Sequence, residues 1–412
     1  MNKLFLSLAF CVLLADVDVF AQSGCTDPLA SNYNAAATVN NGSCIYNSAS
    51  VVPDTSFTLS TAIQETSGLI FWDHYVWTHN DNTDLNLYSL DTLSGAITQT
   101  YTLSGVVNND WEEISQDDSY IYLGDFGNNA NGNRTDLKIL RIEKNSLLLN
   151  APDIDTISFS YSNQTDFTPT GTCNTDFDCE AFIVSSDSIF LFTKQWIGKQ
   201  TSVYSLPKTP GTYTAVLKTT YNISGLITGA TYLQSKQLVV LCGYSNTLQP
   251  FTWLLYDFNG YNFFGGNKRK IAISLSLHQI EGVTTHDGLI YYYSNELFSR
   301  FKIITNEQKL HIVDLSLYLS NYINGSSATI NENETENNGQ IMIYPNPGKE
   351  IISVKLNNTN TTKNYFISDI TGKIVLSGQL QNDSSNINVK KLKKGSYILK
   401  IGNNSVFKWV KE

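Results

Sequence analysis

The stretch Glu281-Gly-Val-Thr-Thr-His-Asp-Gly-Leu-Ile-Tyr-Tyr-Tyr-Ser-Asn295 decides the fold. An acidic residue and a short apolar step open it. Asp287-Gly288 supplies a tight turn, and a β-branched and aromatic run follows, ending on a polar residue. Four other stretches can be laid over it. They are Ser67-Gly-Leu-Ile with Tyr75-Val-Trp-Thr-His-Asn-Asp81, and Glu112-Glu-Ile-Ser with Tyr120-Ile-Tyr-Leu-Gly-Asp125. The others are Glu180-Ala-Phe-Ile-Val with Ile189-Phe-Leu-Phe-Thr-Lys194, and Thr228-Gly-Ala-Thr-Tyr with Leu238-Val-Val-Leu-Cys-Gly243. The anchors 67, 112, 180, 228 and 281 are 45, 68, 48 and 53 residues apart, the period of four-stranded propeller blades.

The segments between these hairpins supply outer strands. Leu87-Tyr-Ser-Leu and the run from Ala96 follow the first hairpin, and the runs from Leu137 and Thr156 the second. Those from Ser202 and Tyr213 follow the third, from Trp253 and Ile271 the fourth, and from Phe301 and Leu310 the fifth. Helical periodicity is absent. The expectation is an all-β chain with a β-propeller of five blades over residues 52–320. A sixth blade is open if Phe57-Thr-Leu-Ser joins other pieces, and an array of β-sandwiches is the alternative. The 68-residue step marks an insertion at residues 164–179. The pattern Glu281-Gly-Val with Asp287-Gly-Leu-Ile-Tyr resembles the inner hairpin of NHL-type and gluconolactonase-like propellers.

The flanking segments differ in kind. Lys3, the apolar run Leu4 to Leu14 and Val19-Phe20-Ala21 read as a signal peptide over 1–21, and no later run is long enough to span a bilayer as a helix. Export permits disulfides. Residues 23–46 form a short module bracketed by Cys25 and Cys44, too small to bury a core without a bridge. It looks like the Gly-Cys-Thr-Asp-Pro…Gly-Ser-Cys module of many secreted Bacteroidetes proteins. Its Asp27, Asn32, Asn34 and Asn40 favour turns over calcium. Spacing pairs Cys25 with Cys44 and Cys173 with Cys179, leaving Cys242 as a buried thiol. Residues 321–340 are almost free of apolar side chains and read as a linker.

From 341 onward the chain reads Ile-Met-Ile-Tyr-Pro-Asn-Pro, then Ile367-Ser-Asp-Ile-Thr-Gly-Lys-Ile, then Leu392-Lys-Lys-Gly-Ser-Tyr-Ile-Leu-Lys-Ile. Residues 341–412 resemble the type A C-terminal sorting domain of the type IX (Por) secretion system of Bacteroidetes. The resemblance implies a small Ig-like β-sandwich, recognition by the secretion machinery, and a secreted or outer-surface location. It also implies cleavage on arrival, with the cargo then attached to surface lipopolysaccharide. Eleven Lys against four acids give this tail +7, so residues 1–340 carry −17 of the chain's net −10. A cargo that acidic excludes binding to nucleic acid through charge.

Chemistry is expected where the inner strands begin. Glu112, Glu180 and Glu281 converge there, with Ser67 and Thr228 in the other blades and Glu65, Asp110 and Asp178 two residues upstream of their anchors. Such carboxylates suit calcium or another hard cation, acid–base work, or hydrogen bonds that pin adjacent blades. The strand ends His79, Asp81, Asp125, Asn295 and Glu296 form a candidate ligand face for a carbohydrate or protein. Gly-x-Ser-x-Gly, His-Glu-x-x-His, P-loop and Gly-x-Gly-x-x-Gly motifs are all missing from the sequence, which disfavours the standard hydrolase, zincin and nucleotide classes. Two readings follow: a surface propeller that binds a ligand or partner, or a metal-dependent hydrolase of lactone, phosphate or glycosidic bonds.

Overall fold

A computed structural model describes residues 21–300, 304–324, 341–344, 348–356, 363–369, 373–380, 384–401 and 405–411. The expected signal segment up to residue 20, and the linker beyond residue 324, lie outside them; the first residues of the expected linker, Asn321 to Ile323, instead end the helix Ser316–Ile323, which buries Ile323 in the core. Two compact units divide the chain, residues 1–326 and 327–412.

The first unit is a propeller of five four-stranded antiparallel blades, and the outer strands of blades two and three, Ile154–Tyr161 and Gly211–Tyr221, pair in parallel and join those two blades into one eight-stranded sheet. Blade one holds Thr66–Trp72, Tyr75–Asn80, Asn86–Leu90 and Ile97–Thr102, from the channel outward. Blade two holds Trp111–Gln116, Tyr120–Asp125, Lys138–Glu143 and Ile154–Tyr161, and blade three Asp178–Val184, Ser188–Lys194, Thr201–Pro207 and Gly211–Tyr221. Blade four holds Leu226–Leu233, Leu238–Tyr244, Pro250–Tyr256 and Asn267–Ile273. The five innermost strands touch in sequence, and the last, Ile280–Thr285, returns to the first. Apolar residues alternate along each strand and fill the gaps between blades. Trp77 and Trp111 thus lie in one gap, Phe182 and Tyr204 in the next, and Phe192 and Phe263 in a third.

Blade five settles the open count. Its first three strands are Ile280–Thr285, Ile290–Asn295 and Lys309–Asp314, and its outer strand comes from the other end of the unit. Thr55–Thr58 pairs antiparallel with Lys309–Asp314, Phe57 opposite Leu310. Phe57 therefore closes the fifth blade and starts no sixth. The expected strand from Phe301 falls partly outside the described residues. Ile304–Asn306 instead pairs with Phe298–Arg300 in a separate ribbon. Just upstream, Ser50–Val51 adds a parallel strand to blade four.

The N-terminal module sits on blade four. Its Cys25–Cys44 bridge is formed. The Asp27 carboxylate accepts from the hydroxyls of Tyr46 (2.7 Å) and Tyr256 (2.6 Å) and from Leu29 N (2.8 Å). The Arg269 guanidinium lies 4.9 Å from the Tyr46 ring centre and 4.4 Å from that of Tyr318. Asn32, Asn34 and Asn40 all spend their amides on local turns or on Asp257.

The expected second bridge does not form. Cys173 and Cys179 are both free thiols. Strand alternation is the reason: Asp178 and Glu180 turn to the channel, so Cys179 between them turns into the core. There its thiol faces the carbonyls of Ala181 and Phe192. Cys173 lies on the exposed insertion, held by its N–H to Asn129 O (2.7 Å).

The second unit is an antiparallel sandwich of seven strands. One sheet is Ile341–Tyr344, Ile351–Leu356 and Ser384–Asn388. The other is Ile374–Leu380, Lys363–Asp369, Gly395–Ile401 and Ser405–Lys411. Ile352, Val354, Ile367, Leu399 and Trp409 are buried between them, and Lys390, Lys391, Lys393 and Lys394 are exposed.

Two outcomes test this fold. Leu310→Ala, at the closure, lowers stability by about 2–5 kcal/mol in denaturant titration; a change below about 0.5 kcal/mol would show that the strap does not pack there. Thiol titration of the folded protein finds one reactive group, lost in Cys173→Ser; a protein with no reactive thiol would restore the second bridge.

Candidate functional site

Each inner strand starts with a bulge, and the bulge builds the site. In blade two Asp125 pairs with Trp111 and Gly124 with Glu113, leaving Glu112 as the extra residue. Glu180, Thr228 and Glu281 are the extra residues of blades three, four and five. In blade one the shift falls between Ser67 and Ile70, at Gly68 with φ +52°. A bulge breaks the alternation and re-aims a side chain. The anchors of the sequence repeat are therefore the residues the backbone turns toward the channel.

Ser67 and Thr228 tie blades together: their hydroxyls donate to Glu112 O (2.5 Å) and to Ile280 O of the next blade. Glu113 does the same across the channel. It is fully buried, and its carboxylate accepts from Ala230 N in blade four (2.7 Å) and from Ile114 N (3.0 Å). The interblade hydrogen bonding expected of the anchor glutamates is thus carried by the neighbouring Glu113.

The acids gather at the mouth. Glu112, Asp178 and Glu180, all buried, each place one oxygen within 4.8 Å of the others. Glu65, Asp81 and Glu296, half-buried, form a second such group, with Asp110 and Glu281 also acting on the cluster electrostatically. Lys194 is the ammonium among them. It bonds Glu180 and lies 4.7 Å from the Trp196 ring and 5.3 Å from that of Tyr244. Asp178 accepts from Asn128 N (2.6 Å) and Trp196 Nε1 (2.7 Å), and Glu296 from Gln279 Nε2 (2.6 Å).

Glu112 differs from these. The residue is 6% exposed and no protein hydrogen bond or ion pair reaches its carboxylate among the described residues, although its oxygens still meet solvent at the mouth. The backbone crowds it: a Cβ on Gly127 would lie 2.3 Å from Glu112 Oε1 and 2.2 Å from Asp110 Oδ2. Burial first, then the charges of Glu180, Asp110 and Asp178, push the Glu112 carboxyl well above the ordinary range. Burial likewise raises Asp81 to about 7, Asp110 to about 6 and Glu281 to about 7, each with neighbouring acids adding. Burial alone would lower the Lys194 ammonium, but Glu180 together with Tyr244, Glu281 and Asp178 outweighs it and holds the charge on.

The sequence-derived residues divide. Glu112 and Glu180 meet at the inner group with Asp178, while Glu281 lies beside it, and Asp81 and Glu296 face the outer group. His79, Asp125 and Asn295 do not face the mouth. His79 is fully buried, its ring edge against Trp111, and burial lowers it to about 4, so it is neutral. Asp125 is paired with Arg134 and Lys138, both at 2.8 Å. Asn295 Oδ1 accepts from His311 Nε2 (2.7 Å), and its Nδ2 donates to Glu296 O and Glu307 O.

Residues 342–412 match the family described as the secretion system C-terminal sorting domain. The protein is a type IX secretion cargo with a propeller body, secreted or displayed at the cell surface. No helix among the described residues is long and apolar enough to cross a membrane. No curated protein sequence matches the chain. Among solved structures, the chain is similar to PorZ, a surface component of the type IX secretion system of Porphyromonas gingivalis, at 9% identity and a TM-score of 0.30. The alignment covers 84% of this chain and 45% of PorZ, so the chain spans less than half of that protein. It is also similar to an exo-β-1,3-galactanase of Phanerochaete chrysosporium, at 11% identity and a TM-score of 0.40, covering 87% and 98%. The WD40 repeats of RRP9 match at 10% identity and a TM-score of 0.34, covering 64% and 99%. Likenesses this distant carry no argument about function.

The raised carboxyls give a pH signature. The folded state holds protons here that the unfolded chain releases near pH 4, so the folded state binds more protons in between. The stability these carboxyls contribute is therefore largest near pH 4 and is lost as pH rises to the folded-state values near 6 and 7, while neutral buried His79, lowered to about 4, contributes in the opposite sense below about pH 6.5. The melting temperature of the cation-free protein should drop between about pH 5 and pH 8, and Glu112→Gln should flatten the drop; a curve that rises over that window contradicts the clustering.

Proposed function

We propose that this cargo is a surface binding protein whose propeller mouth takes a positively charged ligand, with a divalent hard cation such as calcium held by Glu112, Asp178 and Glu180. The observation that carries the reading is the Glu112 carboxylate, buried and without a donor, facing other acids. A buried carboxylate is stabilised by a donor, a counter-charge or a proton, and a hard cation with oxygen ligands supplies the second. The donor set is all oxygen, as calcium prefers. Lys194 neutralises one of the three and competes with any cation, so affinity belongs to the weak extracellular range of about 10⁻⁴–10⁻³ M.

A second reading, a metal-dependent hydrolase of lactone, phosphate or glycosidic bonds, rests on Glu281. This carboxyl stands beside the trio, acts on Glu180, and has no place in the trio itself. It is a group free to move a proton next to a cation site. Turnover of lactone, phosphomonoester or aryl-glycoside substrates, lost in Glu281→Gln with calcium affinity kept, separates this reading from pure binding.

Calcium at about ten times its dissociation constant should raise the melting temperature of the chelator-stripped protein by roughly 3 °C. Glu112→Gln should abolish the rise, and Lys194→Met should tighten binding. No response to calcium, manganese or magnesium in either protein would remove the cation site.

A further inference from the structure

The acidic mouth is one end of the channel, and the other end is chemically unlike it. There the far ends of the inner strands surround an open cavity of about 300 Å³, at the small end of the range for small-molecule sites. Glu113, bonded across from blade two to blade four, stands between the two ends. The cavity has no Asp, Glu, Lys or Arg in its lining.

Two kinds of group face this cavity. Phe71, Tyr232 and His286 bring rings, none fully buried, with Phe71 and His286 centred 5.0 Å apart and tilted 32°. Ser115, Thr231 and Thr284 bring hydroxyls that have no hydrogen-bond partner among the described residues. Thr284 is the telling one. The residue is 2% exposed and lines the cavity, and its hydroxyl has no protein partner among the described residues while still meeting solvent. A hydroxyl held at a cavity wall with no protein partner keeps its donor and acceptor capacity for an occupant. In the same stretch, the Thr285 hydroxyl bonds Ile290 O at 2.7 Å, so unmatched hydroxyls are not a general property of this strand.

We infer that this cavity is a binding site for a neutral sugar, of the size of one pyranose ring with part of a second. A pyranose offers what the lining lacks: a flat C–H face for the rings, and rim hydroxyls that both donate and accept toward Ser115, Thr231 and Thr284. A charged ligand finds no counter-charge here. A purely apolar ligand would leave the three hydroxyls buried and unmatched, at a cost of about 1–3 kcal/mol each. The inference does not depend on a cation at the mouth, which belongs to the opposite face.

Saturation-transfer NMR on the full exported protein tests it, with the methyl pyranosides of glucose, galactose, mannose and N-acetylglucosamine as probes. At least one should receive saturation, strongest on the protons of one ring face. Thr284→Val and, separately, the exposed-ring change His286→Ala should weaken that binding about tenfold or more, with the melting temperature unchanged in the latter. Glu112→Gln should leave it intact. Silence from all four sugars overturns the inference, as does binding that survives both cavity changes or that disappears in Glu112→Gln.

Discussion

The pairing of Thr55–Thr58 with Lys309–Asp314 is the constraint on which the channel depends. Beside it the Leu59 N–H donates to Gln308 O (3.0 Å), and the Gln308 side-chain amide donates back to Leu59 O (3.0 Å), 249 residues away in the chain. Without this strap, blade five would present a bare edge, and packing alone, such as that of Leu69 and Val76 with Leu310, would hold blades one and five side by side. Closing so long a loop costs entropy that grows only slowly with its length, so a few ladder bonds and Leu310 burial suffice. Once the ring is closed, five strand starts point at one axis. The mouth is a consequence of closure, and the repulsion among its acids is a load the closed ring must bear.

The inner hairpins were legible because they combine turn residues with alternation, and both signals are local. Asp287-Gly288 makes its turn through Asp287, whose carboxylate accepts from Leu289 N and Ile290 N. What could not be read was which β-capable segment would dock outermost in blade five. Phe57 and the segment after Phe301 are equally suited to a strand, and partnership across the whole chain chose between them. The bulges lie between these extremes. Aligning the repeats placed Glu112, Glu180, Thr228 and Glu281 at one level, and the register shows why those positions are special.

Side-chain direction explains most of what went astray at the site. His79, Asp125 and Asn295 end their strands with polar groups, and polarity there suggests an exposed rim. In the structure those groups are turned between blades: Asp125 and Asn295 are matched with basic side chains and His311, whereas His79 lies against Trp111 with Nδ1 at Asn80 O and Nε2 buried without a partner among the described residues. Cys179 fails as a disulfide partner for the same reason, since it alternates with the channel-facing Asp178 and Glu180. Glu113 left a trace in the sequence, the Glu112-Glu113 doublet. A bulge lets two consecutive residues both serve the channel, one opening to the mouth and one bridging below it.

The mouth's electrostatics then follow from Lys194. Its ammonium bonds Glu180, held against Trp196 and Tyr244, and offsets Asp81, Glu281 and Glu296 only in part, so burial still raises them. If Lys194 balanced the whole cluster, burial would leave the acids near their ordinary range. Instead burial and mutual repulsion raise Asp81, Asp110, Glu112, Glu281 and Glu296 together. A protein can carry that strain as bound protons, as a bound cation, or as both in exchange. The N-terminal module shows the contrasting solution: the Asp27 carboxylate is met in full by two tyrosine hydroxyls and a backbone N–H, and that site is closed. Where this chain needs a buried acid for architecture, as at Asp27 and Glu113, it supplies the donors. At Glu112 it supplies none, and that contrast within one molecule sets the mouth apart as a place built to receive something.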